Sequence, residues 1–187
     1  TSDQATAAST TASTSDSTTP PTTTTTSTTS ASSSAVPAGQ TQCGDPLAGR
    51  AVAALLDQLR AQGTLCGDAA QPPVAALRWD DRLAAAAARQ AADSAAMGVV
   101  THVGSDGSDV AQRVANAGFS AWGVGENAAA GVPTAARVLA LWQDSPPHCT
   151  NMMSSQYTDV GVACATDARS PWGEHWIMVL ARAAGTY

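Results

Sequence analysis

The chain has 187 residues, with nine basic and fifteen acidic side chains and a net charge of −6. All nine basic residues are arginine, and the acidic balance argues against a nucleic-acid partner, which needs a basic face. No apolar run is long enough to span a bilayer, so no transmembrane segment is expected.

Residues 1–40 are mostly Thr and Ser, with Pro20, Pro21 and Pro37 and no Arg, Lys, Leu, Ile, Phe or Trp. Such a segment has nothing to bury, and it is expected to be a disordered stalk or linker. A start at Thr1 reads as a processed end, with a signal peptide removed. The folded domain is expected over 43–187, about 145 residues, enough for one core.

Within it, Asp45 and Pro46 open an amphipathic helix over 46–61 that places Val52, Leu55, Leu56 and Leu59 on one face, and Gly63 ends it. Asp80 caps a second helix running through an Ala-rich stretch to Met97, ended by Gly98. Ser105-Asp106-Gly107-Ser108 forms a turn, and a third helix runs from about Asp109 to Ala117. Pro133 starts a fourth helix with Val138, Leu139, Leu141 and Trp142 as its apolar residues. Ser145 caps a short fifth helix with Pro146 first and His148 third. Tyr157–Ala165 and Glu174–Arg182 read as strands, and a further strand is expected within 119–131.

Cys43, Cys66, Cys149 and Cys164 read as two disulfides of a secreted domain. Three connectivities are possible. Spacing favours Cys43–Cys66 and Cys149–Cys164, each closing a short loop. Zinc ligation by cysteine has less support, because no Cys-x-x-Cys pair occurs.

All three histidines lie in motif-bearing segments: Thr101-His102-Val103-Gly104, Ser145-Pro146-Pro147-His148-Cys149-Thr150-Asn151, and Glu174-His175-Trp176-Ile177. Between the first two comes Gly123-Val124-Gly125-Glu126-Asn127. Three imidazoles and one carboxylate suit a divalent metal, zinc before others. In their order and wording these segments resemble the CAP superfamily of cysteine-rich secretory, antigen 5 and pathogenesis-related proteins, and are closest to its bacterial members. The resemblance covers about residues 47–182. It implies an α+β fold, a three-layer α-β-α sandwich with a small, mostly antiparallel sheet. It also implies a polar cavity to which His102, Glu126, His148 and His175 are carried over as metal ligands. Two departures stand out. The family's His-aromatic-Thr-Gln reads His175-Trp176-Ile177-Met178 here, and the helix after Trp142 supplies His148 where eukaryotic members have a second glutamate.

The function expected on this basis is a secreted or surface-tethered binding module rather than an enzyme, monomeric, holding a divalent cation. A lipid or sterol would be its apolar ligand, with Met97, Phe119, Trp122, Met152 and Met153 as candidate lining. A cell wall or host surface is a further candidate partner. The alternatives are a zinc-dependent hydrolase with Glu126 as general base, and a structural or adhesive surface domain. No Gly-x-Ser-x-Gly elbow surrounds Ser145, so a serine hydrolase has little support.

Overall fold

In the structure, a computed structural model, residues 38–185 are described. The stalk expected over 1–40 therefore lies, up to residue 37, outside the described residues. Packing begins slightly before the expected boundary at 43. Thr41 is buried and its carbonyl accepts from Ala135 N at 2.9 Å.

The helices form where their caps place them. Helix α1 spans Ala48–Gln62, two residues after Pro46, and the Asp45 carboxylate accepts from Leu47 N at 2.7 Å. Helix α2 spans Asp81–Met97, with the Asp80 carboxylate accepting from Arg82 N and Gly98 ending it in the left-handed region, φ 68°. Helix α3, Val110–Asn116, begins with a reciprocal capping box between Asp109 and Gln112. Helix α4, Ala135–Gln143, is capped by Thr134 one residue after Pro133. Helix α5, Pro146–Met153, starts at Pro146 as expected, but Ser145 makes no side-chain cap bond. Among the described residues, no helix is long and apolar enough to cross a membrane.

Three short strands precede α2: β1 (Thr64–Cys66) pairs antiparallel with β2 (Ala69–Gln71), and β3 (Arg78–Trp79) joins the main sheet. Strands β4 (Ala121–Ala130), β5 (Asp159–Thr166) and β6 (Glu174–Ala183) complete a four-stranded sheet in the order β3-β5-β6-β4. Only the β3–β5 pair is parallel.

Strand β6 is buried on both faces. Side chains alternate along a strand, so Trp176, Met178 and Leu180 pack with α1, α4 and α5 through Val52, Leu56, Val138, Trp142 and Met152. Ile177, Val179 and Ala181 pack on the opposite side with α2 and α3 through Leu83, Ala87, Ala91 and Val114. This is the expected three-layer α+β sandwich. Two glycines set the layer spacing at β5. A Cβ on Gly49 of α1 would lie 2.0 Å from the Val162 carbonyl oxygen. A Cβ on Gly161 would lie 2.1 Å from Ala84 N of α2.

The four cysteines are all paired, but not as spacing suggested. Cys43 bonds Cys164, and Cys66 bonds Cys149, with Cα–Cα separations of 5.5 and 5.4 Å. The reason is α1. Its fifteen residues span roughly 22 Å and separate Cys43 from Cys66, so a pair that looks local in sequence sits at opposite helix ends. Each bond instead ties distant elements, the segment before α1 to β5 and the β1 hairpin to α5.

Candidate functional site

The Gly-Glu-Asn segment lies in β4, and strand alternation sends its two polar side chains to opposite faces. Glu126 points to the α3 side. There its Oε2 accepts from Arg113 Nη2 at 2.7 Å, and its Oε1 lies 2.8 Å from His102 Nδ1. Asn127 points to the α5 side. It donates from Nδ2 to the His148 carbonyl at 3.0 Å and accepts from Asn151 Nδ2 at 3.0 Å. One motif therefore fixes two histidine-bearing segments, the loop after α2 and the first turns of α5.

Arg113 is the residue the sequence reading missed. Its side chain and that of Glu126 are each only 2% exposed. Besides Glu126, the guanidinium donates from Nη1 to the Ser108 carbonyl at 2.6 Å. It also reaches the His102 carbonyl from Nη1 at 3.3 Å and Nη2 at 3.2 Å. A signal was present: Arg113 lies on the apolar stripe of α3 between Val110, Val114 and Ala117, where a lone cation implies a buried partner. Gln90 secures the same loop, donating to the Thr101 carbonyl at 2.8 Å.

The two imidazoles near this network differ. His102 is 57% exposed by side chain, and its pKa is raised, first by the hydrogen bond to Glu126. Since an ionised carboxylate only accepts, Nδ1 of His102 carries the hydrogen and Nε2 is left for other partners. His148 is shifted down, chiefly by burial and then by the charge on His102.

His175 lies elsewhere. It is fully buried and sits opposite Ala130 and Ala165 in the sheet, whereas Glu126 sits opposite Val179. Residues 175 and 179 share a face, but four residues of strand put them about 13 Å apart. His175 pairs instead with Ser170, Nε2 to Oγ at 2.8 Å, and burial lowers its pKa. The structure thus joins His102 to Glu126, ties the His148 backbone to Asn127 on the other face of β4, and leaves His175 apart with Ser170. Among the described residues no group of three or more His, Cys, Asp or Glu is arranged to hold a metal ion. What the structure does supply is the hydrogen bond from His102 Nδ1 to Glu126, and metal-ligating histidines usually give their other ring N–H to a carboxylate in this way.

The candidate apolar lining also separates. Met152 and Met153 are buried core, and Met97 is exposed at the end of α2. Phe119 and Trp122 do share a groove of about 480 Å³ between α3 and the start of β4, with Val114 and Val124. The β4–β6 register shifts between Ala121 and Gly123, and Trp122 at that irregularity is 72% exposed.

A family model described as the cysteine-rich secretory protein family, CAP, matches residues 53–180. No curated protein matches the chain by sequence. Among solved structures, an outer surface protein of Borrelia burgdorferi is similar at a TM-score of 0.60 and 18% identity, over 72% of this chain and 91% of that one. An extracellular SCP-domain protein of Bacillus anthracis is similar at 0.58 and 20% identity, over 72% of this chain but only 40% of its own. Venom allergen-like protein 4 of Schistosoma mansoni is similar at 0.50 and 16% identity, over 73% and 88%.

Proposed function

Because the chain belongs to the cysteine-rich secretory protein (CAP) family, we propose that it works outside the cytoplasm as a binding module whose His102 and His148 imidazoles hold a divalent cation, zinc first among them. The observation that carries this reading is the Glu126–His102 hydrogen bond of 2.8 Å, which fixes the tautomer and frees Nε2 for another partner. Two disulfides fit an oxidising compartment. Nitrogen ligands favour zinc, copper or nickel over magnesium and calcium. Bound there, such an ion supplies a Lewis-acidic point to which a donor atom of a ligand can attach. The hydrolase alternative has less support, since a general base needs a free oxygen and both Glu126 oxygens are engaged.

A second reading concerns the groove beside Trp122. Its volume and the exposed indole suit a small apolar ligand such as a lipid tail or sterol. Calorimetric titration of the full chain with zinc at pH 7.5 tests the first reading. His102→Ala and His148→Ala should each weaken binding by about tenfold or more. Unchanged affinity in both variants would sink it. Trp122→Ala should leave zinc binding alone while lowering retention of a fluorescent sterol.

A further inference from the structure

We propose that a cavity beside the end of α1, between the segments that lead into β3 and β5, binds a small oxyanion, a phosphate or a carboxylate, on Arg60. This site is separate from His102 and His148 and does not depend on the cation reading. Arg60 lies in the last turn of α1 and is only 1% exposed. Its Nε donates to the Ala75 carbonyl at 2.7 Å, and its Nη1 to the carbonyls of Met152 and Ser154 at 2.5 and 3.1 Å. The last two carbonyls end α5, where the helix carries partial negative charge. The clamp uses no more of the guanidinium than this. Among the described residues Nη2 has no acceptor and no carboxylate forms an ion pair with Arg60. Asp57, one turn back on α1, is turned instead to the Leu77 N–H at 2.9 Å. Burial lowers the Arg60 pKa, and the field of Asp57 only partly opposes it, as for a cation short of a counter-charge. The open side of this guanidinium is a cavity of about 280 Å³, bordered also by Ala76, Arg78, Ser155 and Thr158. Arg78 is neutralised there: its Nη2 lies 3.0 and 3.3 Å from the two oxygens of buried Asp159, which also accepts from Thr158 Oγ1 at 2.7 Å. Arg60 therefore supplies the positive charge left over at the cavity, with Arg78 and the Ser155 hydroxyl as further donors on its walls. A guanidinium suits the oxygens of phosphate and carboxylate, and a cavity of this size admits a small ion.

The test is nitrogen–proton correlation NMR of the full chain, titrated separately with sodium phosphate and sodium acetate at neutral pH, with ionic strength held constant by sodium chloride. Amide signals of residues 75–78 and 155–158 should shift and saturate for at least one of the two anions, with a Kd of about 1 mM, as a few charge-assisted hydrogen bonds imply. The anion that saturates first assigns phosphoryl or carboxylate chemistry to the site. Ala76 is exposed and borders the cavity, so Ala76→Glu puts a carboxylate at its mouth while Arg60 keeps its carbonyls. That variant should bind at least about tenfold more weakly. Arg60→Lys has a single nitrogen to divide between the α5 carbonyls and the cavity, and it should lose the saturable shifts. No saturable shift at these residues up to about 50 mM of either anion overturns the proposal. So does an unchanged Kd in Ala76→Glu, a comparison that stands even if Arg60→Lys fails to fold.

Discussion

At the scale of single residues, the site is governed by a charge chain of Arg113, Glu126 and His102. Breaking a buried pair leaves an uncompensated charge, so Arg113→Met should lower stability in urea by about 3–5 kcal/mol, and a loss under about 1 kcal/mol would show that the pair is not buried in solution. The histidines should respond to pH in opposite senses. The folded-state pKa of His102 is raised by Glu126, so the folded protein holds that proton more tightly than the unfolded chain. Its stabilising contribution is complete below the ordinary value of about 6.5 and is lost as pH rises through the raised one. For His148 burial lowers the folded value, so stability falls as pH drops through about 6.5 toward it. The stability difference between wild type and His102→Gln should therefore shrink from pH 6 to pH 8, and a difference that grows with pH contradicts this assignment. Zinc must displace the proton on His102, so affinity should begin to fall while pH is still above about 6.5.

At the scale of elements, the helices were readable because their caps are local chemistry. Asp80 and Asp109 announce α2 and α3, and Gly98 closes α2. Strand β4 was visible only as a gap, since Gly123, Gly125 and the run Ala128–Ala130 carry little strand propensity; partners on β6 make it a strand. The disulfide pairing was not readable, because sequence spacing does not report that α1 stands between Cys43 and Cys66. For His175 the distance from Glu126 was unreadable, since alternation gives parity but not position along the sheet. Peptide mapping without reduction should join the Cys43 peptide to that of Cys164 and the Cys66 peptide to that of Cys149. Sequence separations of 121 and 83 residues make each bond worth about 4–5 kcal/mol in the chain-entropy model. Layer spacing makes a sharper demand. Gly49→Ala and Gly161→Ala each drive a methyl into backbone, from opposite sides of β5, and each should cost at least about 1–3 kcal/mol. Gly123→Ala, whose added methyl meets nothing within 4 Å, should be tolerated, and equal melting temperatures for all three variants would refute the close-approach argument.

At the scale of the whole molecule, the sandwich ties two histidine-bearing segments from opposite layers to one strand. His102 follows α2 on one side of the sheet, and His148 opens α5 on the other. Both segments are anchored on β4, which is an edge strand of the main sheet. Glu126 and Asn127, adjacent in sequence, hold one each because their strand sends them to opposite faces. His175, farther along β6, serves the hairpin turn through Ser170. The most direct test is a crystal structure grown with zinc, with the ion located by its anomalous scattering. The account predicts one peak bonded at about 2.0–2.1 Å to Nε2 of His102 and to the His148 ring, with Glu126 still on Nδ1 of His102. A peak at His175, direct zinc–Glu126 ligation, or no ordered zinc beside His102 would contradict it.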